Sequence, residues 1–196
     1  MVSSVTITAA QCQLLLQLAR QAIAGKLGLC GSGAQPLGPP GEDQLFHEPA
    51  AVFVTLHLAG KLRGCIGHLE PVGPLWQSVR DNAINAAFHD SRFAPLSAEE
   101  LTQVRLEISI LSKPRECGYR NPEELLDLLQ PDKDGVILRS GRSGATFLPQ
   151  VWQQLPDPAL FLGQLCRKAG LPESTWQQGG VQILTYRVES CHEENR

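Results

Sequence analysis

Residues 50–69 read Ala-Ala-Val-Phe-Val-Thr-Leu-His-Leu-Ala-Gly-Lys-Leu-Arg-Gly-Cys-Ile-Gly-His-Leu. Two apolar, strand-forming runs flank a short Gly-Lys break, the pattern of a β-hairpin. Ala50–Leu58 supplies the first strand and Leu62–Leu69 the second. The second strand carries Arg63, Cys65 and His68, with Gly64 and Gly67 placed around the cysteine. Glycine weakens a strand, so two of them in one strand signal a bulge or a close approach to the backbone.

Register decides what this hairpin can do. A two-residue loop at Gly60-Lys61 sets Leu58 against Arg63 and drives the guanidinium onto the apolar face. A three-residue loop, Ala59–Lys61, pairs Val54 with Ile66 and Leu58 with Leu62. His57, Thr55, Arg63 and Cys65 then share the opposite face. One residue of slip inverts every side chain, and an unpaired buried guanidinium is prohibitive. The second register is therefore expected, helped by a bulge at Gly64.

The rest of the chain alternates helices with hairpins. Thr8–Leu27 reads as a helix opened by a Thr8/Gln11 capping box, its apolar stripe running through Cys12, Leu15, Leu16, Ala19, Ala22 and Ile23. Leu29–Glu48, rich in Gly and Pro, is expected to be a surface loop exposing Cys30. Pro74–His89 is a second helix, with proline at its first position, which delivers Asp90, Arg92 and Phe93 into a turn. Ser97 and Glu100 form another capping box ahead of a half-buried strand, Val104–Leu111. Lys113–Tyr119 connects to a helix capped at Asn121 and ending near Gln130. Strands at Val136–Arg139 and Ala145–Leu148, a short helix from Pro149, a helix capped at Asp157 and stopped at Gly170, and a strand at Val181–Val188 complete the pattern. Cys191–Arg196 reads as a frayed polar tail. Hairpins without regular strand–helix alternation indicate an α+β fold of mostly antiparallel sheets.

The hairpin motif Leu62-Arg63-Gly64-Cys65-Ile66-Gly67 resembles the signature of the AMMECR domain family, whose bacterial and archaeal members are called AmmeMemoRadiSam system protein A. Pro49–Leu58, Asp90–Pro95, Leu106–Leu111, Gly141–Val151 and Phe161–Leu171 are similar to further family blocks, in family order. Where the family usually has Asp-Pro-Arg-Phe, this chain has Ser91 in place of the proline and keeps Asp90 and Arg92. The resemblance spans about Leu14 to Val188 and implies one domain over residues 1–196, built of a larger and a smaller subdomain with a cleft between them. It also implies partnership with a Memo-type protein and a radical S-adenosylmethionine enzyme.

Composition narrows the function. A 196-residue chain of 42% hydrophobic and 19% charged residues is globular, and a net charge of −3 gives no reason to expect nucleic acid as partner. The first ten residues lack a charged segment followed by an apolar one, and no apolar run reaches the ~20 residues of a membrane span, so a cytoplasmic location and no membrane partner are expected. The six cysteines stand singly, with no C-x-x-C pair, which argues against a disulfide framework, a zinc knuckle and the clustered ligands of a radical-chemistry iron–sulfur centre. Cys12 and Cys166 fall on apolar helix stripes and read as small buried hydrophobes. His47, His57, His68, His89 and His192 form no closely spaced pair, and no metal or other cofactor is expected. The sequence holds no P-loop, G-x-S-x-G or H-E-x-x-H motif.

The candidate site is thus Cys65 and His68 as catalytic groups, with Arg63, Gly64, Gly67, Asp90 and Arg92 as binding groups. A cation beside a thiol favours the thiolate, the nucleophilic and oxidisable form. Glycines beside it would admit a substrate to the backbone. The competing reading makes Cys65 a buried, inert residue in a packed hairpin, and Asp90 with Arg92 a local pair pinning a turn. Two functions follow from different classes. One is an accessory or substrate-handling component of the three-part system; the other is a stand-alone cysteine-dependent enzyme using Cys65, with His68 or His57 as base.

Overall fold

The computed structural model describes residues 7–29 and 38–194 and resolves two units. The first runs up to Leu111 and takes in the chain from Glu189; the second is Ser112–Val188. Cys30 lies outside the described residues.

In the first unit, α1 (Ala9–Lys26) begins at Thr8, whose hydroxyl accepts from the Gln11 N–H while the Gln11 side chain bonds back to the Thr8 N–H. Its buried stripe, Leu15, Leu16, Leu18, Ala19, Ala22 and Ile23, follows the expected spacing. The Gly/Pro-rich stretch is not loop throughout: Asp43 caps α2 (Gln44–His47), and Phe46 is buried. Strands β1 (Ala51–Leu58) and β2 (Lys61–Gly67) form the hairpin, followed by α3 (Leu75–Phe88), α4 (Ala98–Gln103) and β3 (Arg105–Leu111). Pro74 caps α3 rather than opening it. Ser97 and Glu100 make the expected capping box of α4. With the terminal strand, labelled β8 below (Val188–His192), the sheet runs in the order β2-β1-β3-β8. Leu15, Ile23, Val54, Leu56, Val79, Ala83, Leu106 and Ile108 share the core beneath it.

In the second unit, β4 (Arg115–Glu116), α5 (Pro122–Leu128), β5 (Gly135–Ser140), β6 (Ser143–Phe147), α6 (Pro158–Lys168) and β7 (Gln182–Tyr186) build a sheet of order β4-β7-β5-β6 with two helices. Trp152 stacks on Phe161 at 3.7 Å between ring centroids, and Leu125, Leu138, Leu162, Leu165 and Cys166 complete this core. A 3-10 turn at Glu173–Gln177 buries Trp176, an element without periodicity long enough to read from sequence. Helices with two antiparallel sheets make the chain α+β.

Two further expectations are overturned. The hairpin turn has two residues, Ala59 and Gly60, at φ of 49° and 76°, so Leu58 lies opposite Lys61. Positive φ at both positions suits the tight turns whose twist matches the strands. Register is recovered by a bulge at Arg63: Leu62 pairs with His57, and Gly64 with Leu56. Val54 meets Ile66 as expected, but Leu62 is exposed instead of joining Leu58. The other correction concerns the C-terminus. Cys191 lies on β8, is buried, and forms a disulfide with Cys12 of α1 across 179 residues of sequence. Neither the frayed tail nor the inert Cys12 survives, because helix and strand become neighbours only through the sheet.

Candidate functional site

β2 is an edge strand, so its outward backbone groups need partners other than a neighbouring strand. Side chains from the turn after α3 provide them at Cys65. The Cys65 N–H donates to Asp90 Oδ2 at 2.9 Å, and Arg92 Nη2 donates to the Cys65 carbonyl at 3.3 Å. Arg92 also bonds Asp90 three times, Nε to Oδ1 at 2.9 Å, Nη2 to Oδ2 at 2.7 Å and the backbone N–H to Oδ1 at 3.2 Å. The pair thus imitates one rung of a β-ladder, with the carboxylate as acceptor and the guanidinium as donor. The Asp90 side chain is only 4% exposed against 55% for Arg92. The Arg92 hydrogen bond holds the Asp90 carboxyl well below the usual carboxylate range, against the opposing effect of burial.

Arg63 is fixed by α4. Its guanidinium bonds Glu100 through Nε at 2.8 Å and Nη2 at 2.9 Å, and Nη2 reaches the Ala94 carbonyl at 2.8 Å. Glu100 is in turn the capping-box residue of α4, so one carboxylate serves both the helix start and the arginine. Hydrogen bonding to Arg63, then to the Ser97 N–H, lowers its pKa. Both Arg63 and Arg92 lie within cation–π range of Phe93, at 5.8 and 5.5 Å from the ring centroid. The bulge lets the Arg63 side chain reach α4, which pairs Nε and Nη2, while Nη1 is buried without a hydrogen-bond partner.

The thiol itself is half-buried and free. Thr55, opposite Cys65 in the ladder, donates its hydroxyl to Sγ at 3.3 Å. Phe53, Thr55 and His57 alternate onto this face of β1, while Val52, Val54 and Leu56 point into the core. His57 pairs with Glu107 of β3 at 3.4 Å on the same face. His68 is not brought to this group. It is exposed just past β2, its N–H bonds the Val52 carbonyl at 3.1 Å, and three residues of extended chain turn its side chain to the other face.

The two glycines admit something other than substrate. A Cβ at Gly64 would stand 2.2 Å from the Ala86 carbonyl oxygen of α3, and one at Gly67 2.4 Å from the Phe53 ring and the Val52 carbonyl oxygen. What approaches the backbone here is the protein's own packing.

The AMMECR1 family profile matches residues 16–191, nine-tenths of the chain. The chain belongs to the AMMECR1 family. Among its relatives, an archaeal protein of Thermofilum pendens is 38% identical over 192 residues, covering 90% of this chain and 86% of that protein. One of Methanothermobacter thermautotrophicus is 35% identical, covering 92% and 93%. The crystal structure of an uncharacterised protein from Pyrococcus horikoshii superposes with a TM-score of 0.79 at 32% identity, over 96% of this chain and 94% of the other.

Within this AMMECR1-family chain, Arg63, Cys65, Asp90 and Arg92 converge, Thr55, Phe93 and Glu100 contact them, and His57 shares the face of Thr55. Thr55 and His57 were legible from the chosen register. Phe93 and Glu100 had no such signal, since their places depend on how α3 and α4 pack. Among the described residues, no group of three His, Cys, Asp or Glu side chains is arranged to hold a metal ion. Among the described residues, no helix is long and apolar enough to cross a membrane.

Proposed function

We propose that this AMMECR1-family chain is a cytoplasmic, substrate- or partner-handling component of a three-part system that includes a Memo-type protein and a radical S-adenosylmethionine enzyme. The face around Cys65 is its contact surface. The observation that carries this reading is the division of labour at Cys65. Its backbone is bonded by Asp90 and Arg92, while the residue is half-buried and its sulfur is touched by one donor, Thr55. Those backbone bonds, which an edge strand needs whatever its side chain, hold Cys65 in one orientation and so fix where its thiol is presented. Arg92, more than half exposed, keeps a cationic edge beside the thiol for an anionic or carbonyl-bearing group.

Iodoacetamide labelling of the folded protein, read by peptide mass spectrometry, tests the proposal. Cys65 is expected to label faster than the fully buried Cys166 and to be protected when the two partner proteins are added. Cys65→Ser is expected to weaken that complex. Silence at Cys65 until denaturant is present, or labelling indifferent to the partners, overturns the reading.

A second reading, a cysteine-dependent enzyme on a small molecule, is favoured by one observation. His57 shares the Thr55–Cys65 face and lies 3.4 Å from Glu107, so the base assigned in that mechanism is His57 and not His68. Its test is substrate-dependent protection of Cys65 with no partner protein present.

A further inference from the structure

The second unit contains a pocket of about 290 Å³, remote in sequence from the Cys65 motif. Its wall is made by the connection through β4, the turn after α5 and the end of β7. Three cations line it, Lys113, Arg115 and Arg187, against two carboxylates, Glu116 and Asp134. Only one of those carboxylates is buried: the Asp134 side chain is 6% exposed, and its charge is engaged internally. Asp134 Oδ1 pairs with Arg187 Nε at 3.0 Å, and Oδ2 accepts from the Gln130 N–H at 2.8 Å. Arg187 Nη2 donates to Gln130 Oε1 at 3.0 Å, which fixes the guanidinium plane from a second side. The backbone beneath is held too, since Trp152 Nε1 donates to the Asp134 carbonyl at 2.7 Å. The guanidinium is thus held in one orientation on folding, with Nη1 the donor that makes no hydrogen bond among the described residues and is left for an oxyanion. Lys113, exposed at the rim, has no ion-pair or hydrogen-bond partner among the described residues.

Cys117 forms part of the same wall, its thiol 3.7 Å from Thr185 Oγ1. Burial, reinforced by Asp134 and Glu116, pushes that thiol up, with the Thr185 hydrogen bond opposing. Cys117 is therefore a poor nucleophile and a good reporter: it lies in the pocket without being chemically needed there.

We propose that this pocket binds a small anion, the carboxylate or phosphate group of a metabolite, between Arg187 and Lys113. The volume lies at the low end of small-molecule sites, which suits a compact metabolite rather than a nucleotide or a peptide. The proposal is independent of the Cys65 reading, and either can fail without the other.

The test uses the full chain, with inorganic phosphate and citrate as separate probes against chloride at matched ionic strength. Cys117 alkylation by neutral iodoacetamide at about pH 9 reports occupancy, and Cys65 in the same sample is the internal control. The bound anion is expected to slow Cys117 labelling about tenfold once it exceeds its Kd about tenfold, with Cys65 unaffected. Lys113→Gln removes one charge without touching Asp134 and is expected to weaken binding about tenfold. Protection by phosphate alone, or by citrate alone, identifies which oxyanion the site takes. Should the thiol not label in the native protein, a melting temperature raised by either probe over matched chloride, and not raised in Lys113→Gln, gives the same support. Equal protection of Cys117 and Cys65, the same response in Lys113→Gln as in the wild type, or no response to either anion overturns the proposal.

Discussion

Asp90 carries two duties on one buried carboxylate: it accepts the Cys65 N–H and it fixes the Arg92 guanidinium. Truncation to alanine leaves a backbone donor on an edge strand without its partner and frees the guanidinium that bonds the Cys65 carbonyl. Asp90→Ala is expected to lower the unfolding free energy by about 2 kcal/mol, the scale of a lost hydrogen bond to a charged group. The pH dependence has a definite sign. Arg92 holds the native Asp90 carboxyl below its unfolded value, so the stabilisation is complete above about pH 4 and is lost as pH falls through the native pKa. Urea titrations of wild type and variant should therefore differ by a constant amount near neutrality and converge only in strong acid. A gap that closes above pH 5 would show that Asp90 is not ionised by this contact.

At the scale of elements, the hairpin and α3 are fitted to one another through a missing side chain. Gly64 lets the Ala86 carbonyl oxygen lie against β2, where a methyl group would sit at 2.2 Å from a backbone atom that cannot turn aside. Gly64→Ala is expected to cost about 3 kcal/mol or more, at the upper end of overpacking penalties. Gly118→Ala, where a Cβ meets nothing within 4 Å, should stay within about 0.5 kcal/mol of wild type. Chemical denaturation of the pair checks this. Equal effects would mean that β2 and α3 are not packed at this distance. The same junction explains why Cys65 is presented as it is: β2 cannot move off α3 without also breaking the Asp90 contact.

For the molecule as a whole, the Cys12–Cys191 disulfide ties β8 to α1 and so closes nearly the entire chain into a loop. Two further contacts draw the same segment in. Arg20 of α1 bonds Glu193, and Glu193 accepts the Leu106 N–H at 3.0 Å. Because the loop is long, reduction or Cys191→Ser is expected to lower stability by about 2–4 kcal/mol. Melting curves with and without reductant check it: wild type should shift downwards and the variant should not respond. Acid-trapped protein from cells, analysed by mass under non-reducing conditions, tests the proposed location, since a reducing cytoplasm keeps most such pairs as thiols.

Local chemistry determined much of this protein from the sequence. Capping boxes at Thr8 and Ser97, the stripe on α1, the Val54–Ile66 pairing and the shared face of Thr55, His57 and Cys65 all rest on contacts a few residues apart or on strand alternation. The cost of burying a guanidinium was enough to choose the hairpin face for Arg63. The turn itself was misjudged because Ala59 carries positive φ, which alanine does not advertise, and the bulge absorbs the difference at Arg63 instead of in the loop. What only the tertiary structure decided was which distant segments meet. Asp90 and Arg92 complete the edge of β2, Glu100 receives Arg63, the glycines face α3 and Phe53, Glu107 rather than the thiol meets His57, and Cys191 finds Cys12. None of these pairings has a sequence period to reveal it. Each follows from the core drawing α1 and α3 onto the sheet, which sets long-range neighbours only once the apolar faces have been buried.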